Sequence, residues 1–156
     1  MRKEIYLILD NIRSRENVGS IFRTADAVGV LKIYLCGITP TPPHEKISKT
    51  ALGAETYVSW EYCKEIWRLL KKLKAQKLKL IALEQTKDSV DIFNPSRSLA
   101  PRRMALVVGN EVRGLSPQIL KYCDKKISIP MYGKKESLNV SVAAGVALYT
   151  ILNRHL

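Results

Sequence analysis

The chain has 156 residues, 46% hydrophobic and 26% charged, enough for one domain with a full apolar core and too apolar for a disordered chain. Its 26 Lys and Arg against 14 Asp and Glu leave a net charge of +12, which favours a polyanion such as RNA or DNA as partner over an anionic small molecule. No apolar run approaches the roughly 18 residues of a membrane-spanning helix, and no signal core follows the first charges, so a cytoplasmic protein is expected.

Residues 5–9 are a continuous apolar run, the pattern of a strand buried on both faces. A polar loop over residues 11–19 carries Arg13, Arg15, Glu16 and Asn17. Val18, Ile21, Phe22, Ala25 and Val28 then recur at helical spacing, Gly29 supplies a C-cap, and residues 31–36 are the next strand. Together these make a βαβ unit. Residues 37–44 hold Pro40, Pro42 and Pro43 and form a loop. A short helix over 45–52 ends at Gly53, and a short strand is predicted at 57–59. Residues 61–73 read as a helix with Cys63, Ile66, Trp67, Leu70 and Leu73 along one side, followed by a basic run from Lys71 to Lys79.

Residues 78–83 and 104–108 are two further buried strands. Between them Ile92 and Phe93 are expected to anchor, in the core, a loop holding Pro95 and Pro101. Ser116 followed by Pro117 is a cap with proline at the first helical position, opening a helix to about Tyr122. A strand over 127–129 stops at Pro130, and Ser137 stands as the N-cap of a last helix. That helix is apolar nearly all round, with Val142, Val146 and Tyr149 on one side and Val140, Ala144, Ala147 and Ile151 on another. Such a helix is expected to pack on the sheet and against a second copy of the chain, in a twofold dimer. Asn139, read as buried in its first turn, has no capping role on this reading.

The alternation defines an α/β fold, one domain over 1–156, with a mainly parallel sheet covered by helices on both faces. Cys36, Cys63 and Cys123 are scattered and His44 and His155 stand far apart, so no metal site is expected and the thiols read as reduced. Chemistry should cluster in the polar segments that follow strands, over 10–19, 109–114 and 131–139. In the first, Arg23 is either a solvated helix residue or a binder of phosphate or carboxylate. In the second, Gly109 and Gly114 bracket Glu111, a loop acceptor or an organiser of a ligand site. The Gly-Lys-Ser/Thr of a phosphate loop is missing there, and no GxGxxG of a dinucleotide fold follows the first strand.

Three stretches, NVGSIFRTADAVG (17–29), VGNEVRGLS (108–116), and IPM (129–131) with SLNVSVA (137–143), resemble the three motifs of the SpoU (TrmH-type) branch of the SPOUT RNA methyltransferases. KTALGAE (49–55) is similar to the same family, and the resemblance covers nearly the whole chain. It implies a C-terminal trefoil knot, an exception to the rule against knots. It also implies S-adenosyl-L-methionine as cofactor, a homodimer, and transfer of a methyl group to a ribose 2'-hydroxyl in RNA, transfer RNA ahead of ribosomal RNA. Carried over by motif, the catalytic positions are Arg23, Asn17, Glu111, Ser137 and Asn139. The cofactor would lie against Leu106, Val108, Gly109, Ile129, Met131 and Leu138.

Many relatives carry an added RNA-binding domain, and none is apparent here. RNA contact is therefore expected on the basic residues Arg13, Arg15, Arg113, Lys134 and Lys135, with Lys71 to Lys79 and Arg97, Arg102 and Arg103 as further patches. The alternatives are a non-catalytic RNA-binding or ribosome-assembly protein on the same fold, and methylation of a base nitrogen.

Overall fold

The computed structural model describes residues 2–94 and 101–154. In chain order its elements are β1 (Glu4–Asp10), α1 (Arg15–Val28), β2 (Lys32–Cys36), α2 (Glu45–Ala51), α3 (Ala54–Tyr57), β3 (Trp60–Cys63), α4 (Ile66–Ala75), β4 (Lys79–Leu83), β5 (Val90–Asp91), β6 (Arg103–Val108), α5 (Pro117–Tyr122), β7 (Lys125–Ser128) and α6 (Val140–Asn153). Among the described residues seven strands form one sheet in the order β3-β2-β1-β6-β4-β7-β5, and every pairing is parallel. All strands therefore deliver their following loops to the same edge.

Successive residues of a strand face opposite sides, and both sides here are covered. Leu7, Leu9, Ile33, Leu35, Met104 and Leu106 pack with α1 and α6 through Ile21, Phe22, Ala144, Leu148 and Ile151. Ile8, Tyr34, Leu80, Ala105 and Val107 pack with α4 and α5 through Leu69, Leu70, Leu73 and Ile119. This accounts for the unbroken apolar runs in β1 and β6, as expected from sequence. No helix among the described residues is long and apolar enough to cross a membrane.

Five local expectations are corrected. The predicted strand at 57–59 is preceded by a helical turn, Ala54–Tyr57, and the strand begins only at Trp60. Both the amide and the hydroxyl of Thr56 donate to the Gly53 carbonyl, which closes that turn. Glu61 and Cys63 belong to β3, not to a helix: Trp60 to Cys63 pair with Ile33 to Cys36 of β2, and Lys32 meets Glu61 at 2.8 Å. With α4 starting at Ile66, Leu69 takes a core position and Trp67 is 39% exposed, edge-on to Tyr122. Ile92 is fully buried, but Phe93 is half-exposed because its amide turns outward to the Asp91 carboxylate.

The polar loop after β1 is shorter than 11–19. Ser14 accepts from the Asn17 amide and caps α1, so Arg15, Glu16 and Asn17 lie in its first turn. Arg103 begins β6 and pairs with Glu4 at 2.8 Å, and the basic run through Lys79 ends where β4 begins. Arg103 and Lys79 thus sit at the amino edge of the sheet, while Lys72 on α4 lies near Glu61 and Cys63 of β3. Pro95, Arg97 and His155 lie outside the described residues.

Candidate active site

The first and second polar segments are bound together by Glu111. Its carboxylate accepts from the Arg13 amide at 2.9 and 3.1 Å and from the Ser14 amide at 2.9 Å. Burial alone would raise this carboxyl, but the backbone N–H groups of Arg13, Glu111 itself and Ser14, with the Asn17 side chain, hold it below the usual carboxylate range. Asn110, which sequence reasoning passed over, is the other tie. Its Oδ1 accepts from the amides of Val112 and Arg113, each at 2.9 Å, and its Nδ2 donates to the Asn11 carbonyl at 2.7 Å.

Close backbone approach explains the paired glycines of this loop. A Cβ at Gly109 would stand 2.6 Å from the carbonyl carbon of Gly114, and Gly114 has φ +66° with the Glu84 carboxylate against it. Glu84 accepts from the Leu115 amide at 2.9 Å and so braces the loop from the end of β4. Nothing in its local sequence marks this role, because its partner is about thirty residues away in the chain.

The third segment changes the reading of Asn139. It is the N-cap of α6, with Oδ1 accepting from Ser141 and Val142, and it is exposed, not buried. Ser137 is exposed and two residues too early to cap the helix that forms. Because Oδ1 caps, Nδ2 is left free to donate to Asn17 Oδ1 at 3.1 Å, joining the third segment to the first. Capping and site assembly are thus two halves of one side chain.

Between the second and third segments and the end of β4 lies a cleft of about 180 Å³, at the carboxyl ends of β4, β6 and β7; Asn17 and Asn139 stand outside its lining. Its apolar wall includes Leu83, Val108, Ile129, Met131 and Leu138, and Gly109, Glu84, Glu111 and Ser137 also line it. Leu106 does not reach the cleft: it is fully buried in β6, two residues below Val108. Arg23 is exposed on α1 outside the cleft, with no partner for its guanidinium among the described residues. Its neighbour Thr24 lies 3.6 Å from where a Cβ of Gly145 would stand, which places it beside the seam between α1 and α6. Arg13, Arg15, Arg113, Lys134 and Lys135 are all exposed.

A parallel sheet covered on both faces, with a cleft walled by the loops at its carboxyl edge, defines a ligand-binding α/β domain. The chain belongs to the SpoU rRNA Methylase family, whose model matches residues 4–149. It is 34% identical over 154 residues to the tRNA (guanosine(18)-2'-O)-methyltransferase of Aquifex aeolicus, covering 95% of this chain and 68% of that protein. It is 35% identical over 144 residues to the 23S rRNA (guanosine-2'-O-)-methyltransferase RlmB of Neisseria meningitidis, covering 92% of this chain and 56% of that one. The chain thus spans between about half and two thirds of the length of these relatives.

Among solved structures, the SpoU methyltransferase AviRb from Streptomyces viridochromogenes in complex with the cofactor AdoMet matches with TM-score 0.86 at 25% identity, over 97% of this chain and 60% of that one. The A. aeolicus TrmH/SpoU tRNA modifying enzyme matches with TM-score 0.84 at 34% identity, over 97% and 75%. A structure from work on the 2-OH methylation of C/U34 on tRNA matches over 96% of this chain and 94% of its own, with TM-score 0.83. At 24% identity that last likeness speaks for the fold alone.

Proposed function

We propose that this chain is an S-adenosylmethionine-dependent methyltransferase acting on the ribose 2'-hydroxyl of a nucleotide in structured RNA, transfer RNA ahead of ribosomal RNA. The observation that carries the reading is the joining of the three motif segments beside one cleft, by Glu111 to Arg13 and Ser14 and by Asn139 to Asn17. Relatives named for 2'-O-methylation of tRNA and rRNA support the reaction, and a neighbour bound to AdoMet supports the cofactor. A non-catalytic role on the same fold finds no support among them.

The cleft suits that cofactor. Leu83, Val108, Ile129 and Leu138 offer apolar walls for a base, and Glu84 and Glu111 in the lining carry negative charge complementary to a sulfonium. When bound, the cofactor supplies an electrophilic methyl group for in-line displacement by a ribose oxygen. This chain's part is positioning and electrostatics. Arg23 is a permanent cation without a partner among the described residues, suited to hold the phosphate beside the target ribose and to stabilise charge developing on its 2'-oxygen. Guanidinium does not act as a base, and Glu111 is a poor one because its oxygens already accept backbone N–H groups. The hydroxyl proton then leaves to a substrate phosphate or to water. Ser137 lines the cleft, and the Asn17–Asn139 bond holds α1 and α6 in register beside it.

The homodimer belongs to the same reading. Val142 is 50% and Tyr149 47% exposed on one side of α6, an apolar face suited to a second copy. The trefoil knot is carried with the family. It is supported by the path from β7, next to the sheet edge, back to α6 beside α1. The decisive mutation is Arg23→Ala, assayed by methyl transfer to RNA and by calorimetry with S-adenosylmethionine. Turnover should fall at least about 100-fold, a loss of roughly 3 kcal/mol in transition-state stabilisation, with cofactor affinity unchanged. Turnover within a few-fold of the parent would remove Arg23 from the mechanism.

A further inference from the structure

The proposed methyl-transfer site accounts for the loops after β1, β4, β6 and β7, but not for those after β2 and β3. Two exposed apolar side chains stand at this end of the sheet, Ile38 in the loop after β2 and Tyr62 near the end of β3, and the backbone beneath them is well tied down. Ile38 is 67% exposed and Tyr62 47%, both at the carboxyl edge of the sheet. Thr39, only 3% exposed, donates to the carbonyls of Leu9 and Cys36 and accepts from the Ile12 amide, pinning the loop after β2 to the ends of both strands. The Ile38 amide donates to Asn11 Oδ1 at 3.0 Å, and the Tyr62 hydroxyl donates to the Gly37 carbonyl at 2.9 Å. Asn11 has φ 55°, and its side chain fills the space a Cβ on Gly37 would occupy. Asn110 then links Asn11 to the cleft. One chain of hydrogen bonds thus runs from β3 through β2 and β1 to β6, along the loop edge.

An exposed isoleucine and a tyrosine ring held rigid at a solvent edge have already lost their ordering entropy, so contact with them costs less than contact with mobile side chains. Cations border them: Arg13 and Arg113 near the cleft and Lys64 after β3, all exposed and with no side-chain partner among the described residues. Of the nearby carboxylates, Glu111 is committed to backbone amides, Glu61 to Lys32 and Glu65 to Arg68. Asp10 is buried at the end of β1, where burial raises its pKa to about 6 and weakens its charge. A flat apolar and aromatic ledge edged with unneutralised positive charge fits unpaired bases whose phosphates run alongside.

We infer that the carboxyl edge of β6, β1, β2 and β3 is a binding ledge for single-stranded RNA, on which bases flanking the target nucleotide stack against Ile38 and Tyr62 while Arg13, Arg113 and Lys64 hold the backbone. The inference rests on the reading of the chain as an RNA methyltransferase. Ledge and cleft are separable, since neither Ile38 nor Tyr62 lines the cleft.

The test uses the full chain, a fluorescein-labelled hairpin with a mixed-sequence loop of about seven nucleotides, and a blunt duplex of equal length. Ile38→Ser and Tyr62→Ala should each weaken hairpin binding about 5-fold or more, the lower end of one lost stacked base, and leave duplex binding unchanged. Tyr62→Phe keeps the ring and should retain most of the affinity. Calorimetry with S-adenosylmethionine should be unaltered in all three, which shows that each variant folds. Hairpin affinity unchanged in both Ile38→Ser and Tyr62→Ala overturns the ledge, as does equal loss on the duplex or a parent chain that prefers the duplex. Failure of the parent to bind S-adenosylmethionine, with hairpin binding and its Ile38 dependence intact, would instead sink the methyltransferase reading and leave the ledge standing.

Discussion

Glu111 is an anion neutralised by dipoles. Its oxygens take amide hydrogens from residues 13 and 14, so removing its charge loosens the loop after β1 without freeing a cation. Its folded-state pKa lies below the ordinary 4.5, so the stability it contributes is fully present above about that pH and is lost as pH falls through the folded value. Glu111→Gln places an amide group against backbone N–H donors. The variant should melt several degrees below the parent at pH 7, and the gap should close as the parent is titrated below pH 4. Thermal scans across that range check it; a gap that stays constant with pH would mean that the charge is not what matters. The sequence marked this residue, between two glycines in a segment following a strand. It did not mark Asn110 or Glu84, whose partners lie 99 and 31 residues away in the chain.

At the scale of elements the last helix carries most of the argument, and its start was misread for a physical reason. Ser137 and Asn139 are both good capping residues, two positions apart, and a helix apolar nearly all round has no periodic edge to choose between them. The helix starts after Asn139, whose Oδ1 caps it while its one side-chain nitrogen, Nδ2, reaches Asn17. Asn139→Asp keeps the capping oxygen and loses that donor, whereas Asn139→Ala loses both. The alanine variant should cost about 1 kcal/mol in chemical denaturation, the aspartate variant little, and both should depress methyl transfer. Equal stability of all three would remove the cap from the account. By contrast Ser116 with Pro117 was legible outright, because a capping serine followed by proline specifies a start locally. The strand at Trp60–Cys63 was not, since the spacing of Cys63, Ile66 and Leu70 suits a helix and only pairing with β2 decides otherwise.

For the whole molecule, sequence conveyed fold class and charge better than placement. Unbroken apolar runs announced parallel strands buried on both faces, and that is what forms. The strand order, which puts β6 between β1 and β4 and so brings the motif segments together, is a long-range outcome that periodicity does not register. Nor does composition say where positive charge sits. Arg103 and Lys79 turn out to lie at the amino edge, while Lys134 and Lys135 stand exposed in the loop beside the cleft. Replacing both of these lysines with Ser should weaken RNA binding and reduce the slope of log affinity against log salt by about 1.4, two single-strand phosphate contacts. Titrations at several salt concentrations give that slope directly, and an unchanged slope would place the grip elsewhere.

The central claim is transfer of a methyl group to a ribose oxygen. The measurement closest to it incubates the chain with unmethylated RNA and S-adenosylmethionine carrying a deuterated methyl group, then digests the RNA to nucleosides for mass spectrometry. A labelled 2'-O-methyl nucleoside, lost in Arg23→Ala, is the predicted result. A label found on a base, or no label on transfer or ribosomal RNA despite bound cofactor, would contradict it.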